Sequence, residues 1–113
     1  MKFILTKKDI ISFNQRFDEG NFHNESSLDF ALNYANKTEN WIKALSFLVR
    51  AILIDHVFEE GNKRTVALLI KSYAEYERHE AYTDKVVNLI KEITTKNITN
   101  VGRIEEMLED AIK

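Results

Sequence analysis

The 113-residue sequence contains no cysteine and no proline, and only three glycines, Gly20, Gly61 and Gly102. Without cysteine, disulfides, thiolate metal sites and cysteine nucleophiles are excluded. Without proline, no ring interrupts a helix by removing a backbone donor, so long helices are free to form. No apolar run approaches the roughly 18 residues that a membrane-spanning helix needs. The start, Met1-Lys2-Phe3-Ile4-Leu5-Thr6-Lys7-Lys8, has too short an apolar segment for a signal peptide. The expectation is a cytoplasmic protein with no membrane contact. A basic surplus is missing too. Sixteen Lys and Arg face 18 Asp and Glu for a net charge of -2. Broad nucleic-acid binding therefore has no support, although a local anion site remains open.

What is present is ordinary in bulk and unusual in one place. Apolar residues make up 44% and charged residues 30%, as in typical globular chains. The length predicts one domain over residues 1–113. Helical spacing dominates and period-two alternation is weak, which predicts an all-α fold with little or no sheet. A first helix is expected from Thr6, carrying Ile10, Ile11, Phe13 and Phe17 and ending near Gly20-Asn21. Ser26 or Ser27 is expected to cap a second with Leu28, Ala31, Leu32 and Ala35. The polar segment 36–40 reads as a connection or surface flap. From Trp41 to Ile54 the chain is apolar nearly all round, the pattern of a central buried helix. Another begins near Asn62 with Val66, Ala67, Leu69, Ile70 and Tyr73. Thr83 is expected to cap a fifth with Val86, Val87, Ile90 and Ile93. The sixth starts near Asn100 and carries Ile104, Met107, Leu108 and Ile112.

The unusual place is His56-Val57-Phe58-Glu59-Glu60-Gly61-Asn62-Lys63-Arg64-Thr65. Two apolar helices are joined by a histidine, two carboxylates, a glycine, an asparagine and two cations. The glycine precedes a helix start, where free N–H groups and the helix dipole attract anions. Lys63 and Arg64 in the first turn oppose that dipole, and a bound polyanion would remove the conflict. Glu59 or Glu60 would repel phosphate unless a divalent metal lay between them; magnesium held by one carboxylate plus substrate phosphates is the usual solution. His56 supplies a base that titrates near neutral pH.

The order His-x-Phe-x-Glu-Gly-Asn-x-Arg between two helices resembles the signature of the Fic/Doc family. Asn62-Lys63-Arg64-Thr65 is similar to its Doc (death-on-curing toxin) branch. A weaker likeness extends over Leu5-Thr6 to Leu32, closing on Ser27-Leu28-Asp29-Phe30-Ala31-Leu32. The resemblance implies a compact bundle of about six helices, with room for a short flap hairpin near residues 33–40. It implies an enzyme that moves the γ-phosphate of ATP, or another nucleoside triphosphate, onto a Ser or Thr hydroxyl of a target protein, with Mg2+ as cofactor. By the same resemblance His56 is the general base and Phe58 anchors the loop. Glu60, by its motif position, takes the place of the magnesium ligand, with Glu59 its solvated neighbour. Gly61 and Asn62 shape the phosphate turn, where Asn62 could also touch phosphate or metal, and Lys63 and Arg64 bind phosphate oxygens. The implied target is similar to elongation factor Tu, and an antitoxin is an implied second partner.

Three departures from the Fic pattern bear on the reaction. Val57 stands where proline is usual. Lys63 replaces a small residue, and Ala67 a second arginine. The last two favour the Doc-type reaction over Fic-type AMP transfer, which is the alternative. A catalytically idle helical module that only binds a partner is the third reading. Glu19-Gly20-Asn21 echoes the end of the family's inhibitory helix motif, but Gln15 stands where that motif needs Ser or Thr, so Gly20-Asn21 reads as a helix terminus. His23 and His79 lack ligand spacing and read as surface or capping residues. Trp41 and the phenylalanines read as core. The acidic stretch 105–110 reads as the solvated face of a helix.

Overall fold

In a computed structural model we describe residues 5–113; the apolar start at Met1 to Ile4 lies outside them. Six helices follow in chain order: α1 (Lys7–Asn14), α2 (Glu25–Ala35), α3 (Trp41–Ile54), α4 (Asn62–Tyr76), α5 (Thr83–Lys96) and α6 (Val101–Ala111). Short polar side chains begin four of them. Thr6 and Asp9 form a reciprocal capping box on α1, and Asn24, Asn40 and Asn100 accept first-turn N–H groups of α2, α3 and α6. No strand forms among the described residues; two isolated antiparallel bridges join Phe22 to Phe58 and Ala81 to Ile112.

The helix apolar on all sides is the central one. α3 buries Ala44, Leu45, Leu48, Val49, Ala51, Ile52 and Leu53 and packs against α2, α4, α5 and α6. The radius of gyration is 12.5 Å, close to the roughly 13 Å of a compact chain this long. Lys7 ties α1 to α2 by bonds of 2.7 Å to both Glu25 and Asp29, and these bonds raise its pKa, Asp29 contributing most. Among the described residues no helix is long and apolar enough to cross a membrane.

Several expectations fail in detail. α1 stops at Asn14 and does not reach Gly20. The Asn14 side chain turns back to accept the Gly20 N–H at 2.8 Å, drawing residues 15–20 into a turn. Phe17 leaves the core with it and is 41% exposed. Ser27 does not cap α2; its hydroxyl donates to Asp55 at 2.5 Å while Asn24 caps. Thr83 does not cap α5 either. Its hydroxyl accepts from Lys71 at 2.7 Å, and Tyr82 holds the cap position without a side-chain bond. No flap hairpin forms, because α2 runs through Ala35 and residues 36–40 are used up by its C-cap and by the Asn40 cap of α3. Phe30 and Val87, expected in the core, are 66% and 55% exposed. Helical spacing alone cannot say how wide a face its neighbours cover.

Candidate active site

At the loop between the end of α3 and the start of α4 lies an open cleft of about 640 Å³. His56, Glu59, Glu60, Gly61, Asn62, Lys63 and Arg64 all line it. Phe17 and Asp18 enter from the turn after α1, and Thr94 and Asn97 from the end of α5. The sequence had marked the loop but not these four walls.

The loop is held from below by its apolar residues and from the sides by main-chain bonds. Val57 and Phe58 are fully buried, and the Phe58 ring stacks on Phe22 with centroids 5.4 Å apart. The His23 and Asn24 N–H groups donate to the Val57 carbonyl at 2.8 and 3.0 Å, and the Glu59 N–H donates to the Asn21 carbonyl at 3.0 Å. Val57 is thus buried, with its carbonyl shared by two N–H groups. Asp55 secures the entry: its carboxylate accepts from Ser27 and, at 3.2 Å, from Arg50.

Asn62 ties the loop to the start of α4. Its Oδ1 accepts the Phe58 N–H at 3.0 Å and its Nδ2 donates to the Phe58 carbonyl at 2.9 Å. One N–H and one lone pair of the side-chain amide hold the turn, and Asn62 also lines the cleft. Gly61 sits in the left-handed region at φ +77, and a Cβ there would lie 3.1 Å from the Asn14 amide nitrogen. The φ favours glycine, and a Cβ would press on the Asn14 amide.

That amide belongs to a buried polar knot. Only Asn14, Ser46 and Thr65 are fully buried polar residues among those described, and two of the three meet here. Asn14 Nδ2 donates to the Glu60 carbonyl at 2.9 Å and to Thr65 Oγ1 at 3.1 Å. Thr65 Oγ1 in turn donates to the Gly61 carbonyl at 2.8 Å. The knot joins α1, the turn carrying Phe17 and Asp18, the loop and α4. Asn14 is a further residue of the site that the sequence did not mark. Its partners lie 46 and 51 positions away, and a lone helical asparagine gives no hint of them.

The functional groups themselves are left open. His56, Glu59, Glu60, Lys63 and Arg64 are exposed. Among the described residues, none of their side chains joins a hydrogen bond or ion pair. His56 holds φ +52, a left-handed conformation that costs a non-glycine residue on the order of 1 kcal/mol. Gly61 offers no side-chain cap to α4, and the first α4 main-chain bond within the turn is Thr65 N–H to the Gly61 carbonyl. The N–H groups of Asn62, Lys63 and Arg64 therefore have no acceptor within the helix and lie at the positive end of its dipole. Among the described residues no group of three or more histidine or acidic side chains gathers closely enough to hold a metal alone. A magnesium ion held by one carboxylate plus ligand phosphates fits this donor set. No family model matches the chain, and neither a characterised protein nor a solved structure does.

Proposed function

We propose that the chain is a Doc-like phosphotransferase of the Fic/Doc fold, moving the γ-phosphoryl group of a nucleoside triphosphate onto a serine or threonine hydroxyl of a target protein. One observation carries the reading. A free imidazole, a free carboxylate and an uncapped helix N-terminus bearing two unpaired cations line the same 640 Å³ cleft. A purely structural loop has no use for that convergence, and it leaves about 0.3–1 kcal/mol per cation of dipole repulsion uncompensated.

In this reading the N–H groups of residues 62–64, with Lys63 and Arg64, cradle the phosphates. Glu60 is the carboxylate that would hold Mg2+, which when bound supplies neutralisation of phosphate charge. His56 accepts the proton of the acceptor hydroxyl as its oxygen bonds to the γ-phosphorus. The bond from that phosphorus to the β-γ bridging oxygen breaks, and the nucleoside diphosphate leaves with the electron pair. His56 lines the cleft on a left-handed backbone, and strain of this kind is commonly stored at reacting residues. Lys63 favours this orientation of the nucleotide, because its charge and bulk stand where AMP-transferring relatives of the family keep a small residue. The target is a protein, similar to elongation factor Tu by resemblance, and an antitoxin is the proposed regulator.

The test uses γ-labelled and α-labelled ATP in parallel, with Mg2+ and a bacterial lysate. Label from the γ position alone, lost in His56→Ala, supports phosphotransfer. Label from the α position makes the protein a nucleotidyltransferase. No label from either, with no ATP binding, leaves a helical binding module and sinks the proposal.

A further inference from the structure

Lys63 and Arg64 have a second side. Between α4 and α5 lies a groove of about 270 Å³, lined by Lys63, Arg64, Ala67, Val87, Ile90 and Lys91. Its floor is aliphatic, and Val87 is 55% exposed there. Its rim carries three cations and no carboxylate. None of the three forms an ion pair among the described residues, while the nearby Glu92 is taken by Lys96 and Arg103 at 3.4 and 3.9 Å. Three unpaired like charges around exposed aliphatic surface are unfavourable in the free protein.

We propose that this groove docks an acidic segment of a partner protein that carries an aliphatic side chain. The charges choose an anionic partner and the floor chooses one with apolar groups to bury. A nucleic acid would match the cations but leave the aliphatic floor unused. The purpose of the groove rests on the transfer reading: Lys63 and Arg64 line groove and cleft alike, so a segment held here touches residues of the cleft that an acceptor protein must approach. The contacts themselves do not depend on that reading.

The experiment titrates the whole chain with fluorescein-labelled decapeptides and follows anisotropy. One is Glu- and Asp-rich with two central leucines. A second has serines for the leucines, a third lysines for the acids, and a fourth probe is a ten-nucleotide oligo-dT. The first peptide should bind about tenfold more tightly than each of the others, less so as salt rises. Val87→Asp and Lys91→Glu, both at exposed positions, should each weaken it about tenfold while binding of a fluorescent ATP analogue with Mg2+ stays unchanged. Amide NMR shifts should concentrate on Ala67, Val87 and Lys91. Equal binding of the serine peptide, preference for oligo-dT, or indifference to both substitutions overturns the proposal. Peptide binding in a protein that never transfers label would sink the transfer reading and leave the groove. Label transfer with no Val87 or Lys91 dependence of peptide binding would sink the groove alone.

Discussion

Replacing Asn14 by alanine tests how the cleft is built. The side chain is fully buried, and its amide makes three hydrogen bonds: to the Glu60 carbonyl at 2.9 Å, to Thr65 Oγ1 at 3.1 Å and from the Gly20 N–H at 2.8 Å. Thr65 keeps its bond to the Gly61 carbonyl, so it loses least. The Glu60 carbonyl and the Gly20 N–H are each left without that partner, at about 1–3 kcal/mol apiece. A water entering the vacated polar space offsets part of this. The expected loss is about 3 kcal/mol, which at roughly 4 °C per kcal/mol for a chain this size lowers the melting temperature by about 12 °C. Circular dichroism at 222 nm reads it directly. At 10 °C, where the variant is still folded, binding of a fluorescent ATP analogue should nonetheless fall, because the loop and the turn with Phe17 and Asp18 are no longer registered to α4. Asn14→Asp supplies a second measurement. Its carboxylate would face the Glu60 carbonyl in a buried site, so its folded-state pKa should rise and the variant should regain stability relative to Asn14 as pH falls from 7 toward 5. A melting temperature for Asn14→Ala within about 2 °C of the parent would refute the reasoning, since the knot would then contribute nothing.

Four further outcomes are expected. His56→Gly should abolish transfer yet raise stability by about 0.5–1 kcal/mol, because glycine relaxes the φ of +52; a destabilised variant in a thermal melt would argue against backbone strain. Phe58→Ala removes a ring that is 1% exposed and stacked on Phe22, so urea titration should show a loss of about 3–5 kcal/mol. Lys63→Gly should permit some AMP transfer while phosphotransfer falls, read as adduct mass on the modified target; AMP transfer by the unmutated protein would defeat the assignment of Lys63. Tyr73 is pushed up to about 12, chiefly by burial and then by Glu77. The unfolded phenol ionises near 10, so the folded state holds more protons between those values. Stability should fall as pH rises from about 10 to 12, and Tyr73→Phe should flatten that fall in melts across the range.

Much of this architecture was legible in one dimension. α3 could be read from its apolar residues because a central helix must be greasy on every side, and that property is local. The cleft loop stood out because glycine, carboxylates, cations and histidine were packed into ten positions between two apolar stretches. What only the tertiary structure decided were pairings between distant segments. Whether Asn14 ends a helix or continues it depends on a carbonyl and a hydroxyl 46 and 51 residues away, and a main-chain carbonyl has no residue-type signature. Asn62 also binds both the N–H and the carbonyl of Phe58, a pairing that its residue type does not announce. Val87 has the spacing of a core residue, yet α4 does not cover it. Periodicity reports which side of a helix is apolar. How much of that side is buried, and which polar groups are spent on holding the backbone, is settled only when the other helices arrive.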